Sequence, residues 1–189
     1  MSVQPILTTP RLLLRNFRPD DGPAMQAYAS DPAVVEHMIW GPNTPAETEA
    51  HLEEVLLRQA EEPRLHFSLA IELAAEHRLI GSIAIRRVSA EARTADIGYV
   101  LARAYWGRGI MTEAGRAILG FGFNSLNMHR IWATCDTRNA ASARVLEKLG
   151  MRREGHFRRD AWEKGGWRDS FLYAVLEDEW AAQERISAT

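Results

Sequence analysis

Residues 96–114 decide the fold of this chain, and they read DIGYVLARAYWGRGIMTEA. The first six residues are mostly apolar and β-prone, which is typical of a strand, whereas a helix is predicted from about Met111 onward. The turn Gly107-Arg108-Gly109 lies between them, and glycine lets a backbone adopt positive φ and approach a bulky phosphate. Because a helix N-terminus offers free amides and the positive end of the helix dipole, this junction predicts an anion-binding site.

Two common phosphate motifs do not fit this junction. A P-loop requires Gly-Lys-Ser or Gly-Lys-Thr at the start of its helix, whereas Gly107 leads here to Thr112-Glu113-Ala114. A dinucleotide-binding fingerprint requires a third small residue at Thr112 and a βαβ unit with an acidic ribose ligand. A Gly-x-Gly turn alone is a weak signal, so an ordinary turn without a ligand stays open at this point.

Hydrophobic periodicity and capping signals predict the elements on either side of this stretch. Strands are predicted at 11–15, 65–73, 79–88, 95–101, 130–135, 152–159 and 169–176. Helices are predicted at 20–30, 45–62, 111–126 and 139–149, with a short acidic helix after the last strand. Thr44 and Glu47 form a capping box for the second helix, and Asn139 is the predicted N-cap of the fourth. Strands followed by alternating strands and helices predict an α/β layered structure around a mixed sheet.

Length and composition predict one domain that covers residues 1–189. The 189 residues are 46% hydrophobic and 25% charged, which is ordinary for a globular protein. The single cysteine, Cys135, excludes an intrachain disulfide and fits a reducing compartment. No apolar run reaches the roughly 18 residues of a membrane span, and residues 1–5 lack the basic and apolar pattern of a secretory signal. We therefore expect a cytoplasmic protein without a membrane partner.

The formal net charge of −2 conceals two oppositely charged parts of the chain. Residues 102–170 contain 13 basic and 7 acidic residues, and the rest of the chain contains 10 basic and 18 acidic residues. The near-neutral total argues against sequence-independent binding of nucleic acid. Either both parts carry ordinary solvated charge, or the basic part holds an anion while the acidic part faces a cationic partner.

Several motifs considered together carry a resemblance to a known family. They are the stretch at 96–114, HRI at 129–131, NAAS at 139–142 and VLEKLGM at 145–151. This set closely resembles the GNAT superfamily of acyl-CoA-dependent N-acetyltransferases. Within it, TPRLLLR at 9–15 and WRDSFLY at 167–173 are similar to the ribosomal-protein serine/alanine branch. The chain departs from the superfamily turn motif at Trp106, which replaces a polar residue, and at Met111, which replaces a small one.

The resemblance implies a mostly antiparallel, mixed sheet that splays between its fourth and fifth strands, with acetyl-CoA in the gap. Backbone groups of Val100, Leu101 and Ala102 are then expected to hold the pantetheine and thioester. The pyrophosphate is expected on the turn formed by Arg108, Gly109, Ile110, Met111 and Thr112. Asn139 and the helix after it are expected to contact the pantetheine arm. Arg144 or Lys148 either approaches the ribose phosphate or is a plain exposed helix cation.

The implied reaction moves an acyl group from a thioester to a neutral amine by direct transfer in a ternary complex. Ser142, in the first turn of its helix, is the candidate general acid, with a serine that only bonds backbone as the alternative. A backbone amide near Val100 or Leu101 suits the oxyanion. Asp96 is the candidate base acting through water, with a solvated strand-end carboxylate as the alternative. An α-amine, with a pKa of ~7.7–8.0, needs little help to lose its proton.

The acceptor is the least specified part of this interpretation. A protein N-terminal α-amine, as in a ribosomal protein, is the leading expectation. A polyamine-like or aminoglycoside-like amine, or a non-catalytic acyl-CoA-binding module, is the alternative. Trp40, Asp169 and the acidic early helices, with Glu47, Glu49, Glu53 and Glu54, are candidates to flank a cationic acceptor.

Other partners are weakly indicated. The six histidines lack the spacing of a zinc site, so we expect no metal. Cys135 either lies near the cofactor thiol or is a buried strand cysteine. Many relatives are dimers, so a homodimer is an open expectation, but the sequence identifies no interface.

Overall fold

The computed structural model describes residues 5–187, so both ends of the domain predicted at 1–189, and most of the stretch inspected for a secretory signal, lie outside it. Within that range the strands are β1 (Leu7–Thr8), β2 (Leu12–Asn16), β3 (His66–Leu73), β4 (Arg78–Ser89), β5 (Thr94–Leu101), β6 (Arg130–Asp136), β7 (Arg152–Glu163) and β8 (Gly166–Leu176). The α-helices are α1 (Gly22–Ala29), α2 (Pro32–Val35), α3 (Pro45–Gln59), α4 (Ile110–Gly120), α5 (Ala140–Lys148) and α6 (Glu177–Ser187).

The described strands form one sheet in the order β1-β2-β3-β4-β5-β6-β8-β7. Every neighbouring pair is antiparallel except β5 and β6, which confirms the mixed, mostly antiparallel sheet. The parallel pairing covers only Thr94, Ala95 and Asp96 against residues 130–132. Beyond Asp96, β5 pairs with β4 alone, so a gap opens between β5 and β6. Since the short β1 precedes the first predicted strand, the predicted splay lies between the fifth and sixth strands of the sheet.

Helices cover both faces of this sheet. Alternation along β5 sends Val100 to one face and Ile97 and Leu101 to the other. Val100 belongs to an apolar cluster with residues of α1–α3, among them Met25. Ile97 and Leu101 belong to the larger cluster beneath α4–α6. None of the helices within residues 5–187 combines the length and apolar character that a bilayer crossing requires.

Most predicted elements are confirmed within a few residues, and the differences have physical causes. The helix predicted at 111–126 changes to a π-helical turn at Phe121–Ser125. There the backbone packs closely on the sheet, because a Cβ on Gly122 would lie 2.5 Å from Ile131 Cδ1 and 2.6 Å from Ile85 Cδ1. The strands predicted at 152–159 and 169–176 continue towards each other to Glu163 and Gly166, which makes one long hairpin. The short elements β1 and α2 were not predicted.

The outermost strand, β7, contains a bulge. Phe157 pairs with Ser170 and Ala161 with Arg168, so residues 158–160 stand opposite the single residue Asp169. The Asp169 carboxylate accepts hydrogen bonds from the Arg159 amide at 2.9 Å and the His156 imidazole at 3.1 Å. Asp169, which the sequence suggested as an attractor for a cationic acceptor, therefore holds the bulge in place.

Candidate active site

The glycine turn before α4 forms an open backbone cradle. Gly107 and Gly109 have φ of +72° and +73°, and Gly109 is the N-cap of α4. The first intrahelical hydrogen bond of α4 is donated by the Glu113 amide to the Gly109 carbonyl, at 3.0 Å. A glycine cap offers no side chain to the earlier amides, and no atom lies within 4 Å of a Cβ placed on Gly107. The cradle therefore suits a phosphate group.

The residues predicted for this turn contribute in different ways. Ile110 and Met111 have side chains that are buried in the core, which leaves only their backbone amides for a ligand. Arg108 is exposed, and its guanidinium lies 5.6 Å from the centre of the Tyr105 ring. Trp106, at a position where the family resemblance leads one to expect a polar residue, donates from Nε1 to the Leu101 carbonyl at 2.7 Å. It therefore fixes the turn to the end of β5.

A clamp from the N-terminal part of the chain holds the turn from below. Glu113 accepts hydrogen bonds from the Thr9 hydroxyl at 2.6 Å, from the Arg11 amide at 3.0 Å and from Arg11 Nε at 2.6 Å. Arg11 also donates to the Arg108 carbonyl at 3.0 Å. Burial opposes ionisation of Glu113, but the bonds from Thr9 and Arg11 prevail and lower its pKa. In the sequence these residues belong to two separate motifs, at 9–15 and 96–114, and neither motif indicates the clamp.

Backbone direction along β5 separates the three residues predicted to contact the cofactor. The Ala102 amide donates to the Ile80 carbonyl of β4 at 2.8 Å. Because successive residues of a strand turn their polar groups to opposite sides, Val100 also faces β4, while Tyr99 and Leu101 face the gap. Of the three predicted residues, Leu101 thus has the amide that faces the gap.

Three polar side chains meet on the α5 side of the gap. The Ser142 hydroxyl lies 2.9 Å from the Tyr99 hydroxyl, and either can donate. The Cys135 thiol is within hydrogen-bonding reach of Ser142, and its burial raises its pKa to about 11. Asn139 caps α5 by accepting from the Ser142 amide at 3.0 Å. Ser142 therefore has its amide in the helix cap and its hydroxyl towards the gap, and Cys135 is buried and un-ionised at neutral pH.

Asp96 lies where the gap begins. Its two carboxylate oxygens accept from Nε and Nη2 of Arg86, at 2.9 and 3.0 Å. It belongs to the last paired position of β5 and β6. The candidate base is therefore engaged in a bidentate ion pair at the closed end of the gap.

A cavity of about 240 Å³ lies on the other side of β6. Residues after α2, residues at the end of β6 and the turn between β7 and β8 line it; they include Glu36, His37, Met38, Asp136, Arg138, Glu163, Lys164, Trp167 and Arg168. Lys164 donates to the Val35 carbonyl at 2.6 Å and so ties the hairpin turn to α2. If the β5–β6 register continued, Asp136 would stand opposite Val100. The cavity therefore lies beside the part of β6 that no longer pairs with β5.

Asp136 is the buried acid of this cavity. Its Oδ1 accepts from the Arg138 amide at 2.8 Å and from Arg138 Nε at 3.0 Å, and its Oδ2 accepts from Arg138 Nη2 at 2.6 Å. Burial opposes its ionisation, but the bonds from Arg138 prevail and lower its pKa. His37 Nδ1 lies 3.8 Å from Asp136 Oδ2, and it is buried without a hydrogen-bond partner. Neither residue could be singled out from the sequence, because only the fold brings them together.

The remaining residues suggested by the sequence do not line the cavity. Glu47 accepts from the Thr44 amide at 2.7 Å, which confirms the capping box of α3. Trp40 packs against the α1–α3 cluster. Arg144 and Lys148 are exposed on α5. Among residues 5–187, no three His, Cys, Asp or Glu side chains converge in a way that could hold a metal ion.

Comparison with known proteins places these observations in context. The family described as "Acetyltransferase (GNAT) domain" matches residues 11–152. The uncharacterized N-acetyltransferase YnaD of Bacillus subtilis (strain 168) is 37% identical over 174 residues, which is 92% of this chain and 98% of that protein.

Two solved structures of similar fold belong to proteins that are named after their substrates. The ribosomal-protein-S5-alanine acetyltransferase from Vibrio fischeri has 25% identity and a TM-score of 0.76, over 93% of this chain and 98% of its own. The spermidine N-acetyltransferase from Vibrio cholerae, solved with CoA and spermine, has 18% identity and a TM-score of 0.78, over 92% and 99% of the two chains.

Proposed function

This chain belongs to the GNAT acetyltransferases, and from that premise we propose that it moves the acetyl group of acetyl-CoA to a protein N-terminal α-amine by direct transfer. The observation that carries the proposal is the gap between β5 and β6. It has the glycine cradle at its open end and the Ser142–Tyr99 pair on one side. Those parts supply an anion site and a proton donor beside an unpaired strand edge. The family as such uses acetyl-CoA, and the proposal concerns where it binds and which amine it meets.

The residues of the gap fit acetyl-CoA. The amides from Gly109 to Thr112 and the Arg108 side chain would hold the pyrophosphate. Val100, Leu101 and Ala102 border the pantetheine path, with the Leu101 amide facing it, and Asn139 would meet the arm from α5. When bound there, acetyl-CoA supplies an acetyl group that is activated as a thioester.

Three groups of the chain would assist the transfer. The Leu101 amide would donate a hydrogen bond to the thioester oxygen as negative charge develops on it. Ser142 would give its hydroxyl proton to the departing sulfur, and Tyr99 is placed to restore that proton. Per turnover the ammonium of the acceptor loses two protons, one of which ends on the CoA thiol and the other in solvent. Asp96 could take up a proton only after its ion pair with Arg86 opens.

The cavity bounded by α2 and the β7–β8 turn is the proposed site of the acceptor amine. Its volume of about 240 Å³ is below the ~300–1,000 Å³ of pockets that enclose a whole ligand. It therefore suits the end of an acceptor whose remainder lies outside, as is expected of a polypeptide N-terminus. A small polyamine is the second candidate, and the carboxylates of Glu36, Asp136 and Glu163 in the cavity favour it.

The test is a free-thiol release assay with acetyl-CoA over N-terminal peptides, polyamines and aminoglycosides, with mass spectrometry to locate the acetyl group. We expect release with peptides and a modified α-amine. Faster turnover of polyamines would select the second candidate. CoA binding without turnover on any amine would make the chain a binding module, and absence of CoA binding would remove the proposal altogether. The cytoplasmic location and the homodimer stay predictions.

A further inference from the structure

Two buried acceptors in the cavity face each other without a partner between them. His37 Nδ1 has no hydrogen bond, and it lies 3.8 Å from Asp136 Oδ2. That separation is too long for a hydrogen bond. Buried polar nitrogens are nearly always paired, so His37 Nδ1 is placed to accept a hydrogen bond from a donor that enters the cavity.

An ammonium group can bridge these two atoms once the His37 ring turns, because Nδ1 is buried in this structure while 23% of the side chain is exposed. A nitrogen placed about 2.9 Å from each would bridge acceptors 3.8 Å apart. Asp136 Oδ2 accepts one bond, from Arg138 Nη2, and keeps a lone pair for a second. In the tautomer that carries its proton on Nε2, His37 offers a lone pair at Nδ1.

We propose that the acceptor ammonium binds between His37 Nδ1 and Asp136 Oδ2, and that His37, rather than Asp96, receives its first proton. The inference rests on the proposed function, because it assigns a base to the same reaction. The step is a plain proton transfer. The N–H bond breaks, the new N–H bond forms at Nδ1, and the amine nitrogen keeps the electron pair with which it attacks the thioester carbon. As the carbon–sulfur bond breaks, its electron pair leaves on sulfur, which Ser142 protonates. The nitrogen, now bonded to the acetyl carbon, gives its second proton to solvent, from which the Ser142–Tyr99 pair regains the proton it gave.

Strand alternation puts the base and the acid on opposite sides of β6. Cys135, which contacts Ser142, points to the α5 face, and Asp136 points to the α1–α3 face. The amine thus arrives from one face of the sheet and the thioester sulfur departs towards the other. This arrangement keeps the proton acceptor and the proton donor of one reaction from neutralising each other.

The charges around His37 are mixed. Glu36 belongs to its own segment, Asp136 and Arg138 come from the end of β6, and Glu163, Lys164 and Arg168 come from the β7–β8 hairpin. Arg138 is bound to Asp136, Arg168 to Glu163 at 3.2 Å, and Lys164 to the Val35 carbonyl. Each cation that lines the cavity therefore has a partner, although Arg168 Nε, like His37 Nδ1, is buried without a hydrogen bond.

The decisive experiment compares His37→Ala and His37→Gln with the wild type over a range of pH, using the most active N-terminal peptide of the panel. At pH 6.5 the acceptor is protonated, and we expect kcat/KM to fall about 100-fold. At pH 9.5 solvent has already deprotonated an α-amine, and the deficit should shrink to less than about 5-fold. Affinity for CoA should stay within about 2-fold.

The matched control is His51→Gln, since His51 lies 3.6 Å from Glu54 on an exposed part of α3 and should leave kcat/KM unchanged. A second readout needs no turnover. The imidazole nitrogen resonances of His37 are identified in NMR spectra by their loss in His37→Gln. In the wild type without acetyl-CoA, added amine should shift these resonances more than those of His51.

Each other outcome overturns the inference in a recognisable way. A deficit that does not change with pH would show that His37 only shapes the cavity, and wild-type rates in both variants would remove it from the reaction. An unshifted His37 resonance would exclude amine binding there. A wild type that turns over no amine would instead refute the proposed function, and this inference with it.

Discussion

Two proposed binding sites lie along the β5–β6 gap, one for the cofactor (the cofactor end) and one for the acceptor (the acceptor end), and they are built in opposite ways. The cofactor end is one continuous stretch, residues 105–114, and its groups are mostly backbone amides exposed by two left-handed glycines. The acceptor end combines three distant segments around 36–38, 136–138 and 163–168, and its groups are side chains. Backbone sites depend on local conformation, whereas side-chain sites depend on long-range packing. Substitutions should therefore act on affinity for CoA at the first end and on handling of the amine at the second.

The largest effect is expected at Ser142, the proposed proton donor. Ser142→Ala removes the proton donor, and kcat should fall about 100-fold while affinity for CoA changes less than about 2-fold. Tyr99→Phe keeps the ring but removes its hydroxyl, and its kcat should fall about 5- to 10-fold. Steady-state kinetics with calorimetric CoA binding would measure both. Ser125→Ala, an exposed serine of the π-helical turn, is the control. Wild-type kcat in Ser142→Ala would refute the acid role.

The next largest effect should be confined to the cofactor end. Gly109→Val places a β-branched residue at a φ of +73°, a strain of ~1–3 kcal/mol that the turn can relieve by rearranging its amides. The Kd for CoA should rise about 10- to 100-fold. Gly120→Ala, at the other end of α4, is the control, because its new Cβ meets only Trp180, at 3.9 Å. An unchanged Kd in Gly109→Val would show that the turn does not hold the cofactor.

A smaller effect should appear when the clamp beneath the turn is removed. Arg11→Ala and Glu113→Gln should each raise the KM for acetyl-CoA about 5- to 10-fold, because the clamp holds both the Arg108 carbonyl and the first turn of α4. The KM of the double variant should rise less than the product of the two single increases. The difference corresponds to a coupling free energy of ~1 kcal/mol between the two residues. Fully additive effects would mean that the two residues act separately.

The smallest effect is expected at the strap over the acceptor cavity. Lys164→Met keeps the aliphatic stem but removes the bond to the Val35 carbonyl, so the hairpin turn should loosen. The KM for the amine should rise about 2- to 5-fold, and the Kd for CoA, measured on the same preparation, should not change. An equal effect on both constants would contradict the division between the two ends.

Features that depend on local conformation could be predicted from the sequence, whereas features that depend on long-range packing could not. Strands such as β3 and β4 carry continuous apolar patterns, and α3 has a local capping box, so these elements were predicted from neighbouring residues alone. The long β7–β8 hairpin was predicted too short, because its outer part is exposed and charged and thus has no burial pattern. The glycine turn could be predicted because Gly107 and Gly109 lie two positions apart in the chain, just before a predicted helix.

The acceptor side could not be predicted for the opposite reason. His37 and Asp136 are 3.8 Å apart in space but almost a hundred positions apart in the chain, and neither belongs to a recognisable motif. Tyr99 shows an intermediate case. Alternation along β5 places it on the face opposite Asp96, but only the position of α5 shows that it meets Ser142. Asp96 was suggested from the strand pattern, and the pattern gave no sign of its partner Arg86.

The bulge in β7 also bears on how this protein stays in solution. Each end of an open sheet presents unpaired backbone groups that can recruit a strand from another molecule. At one end β1 has two residues, too few to template such pairing. At the other end β7 has twelve, and the two arginines and the aspartate at 158–160 interrupt it. Charged side chains displaced from the ladder are a common safeguard against edge-to-edge aggregation, and a β7 trimmed to a flat, regular strand would be expected to precipitate.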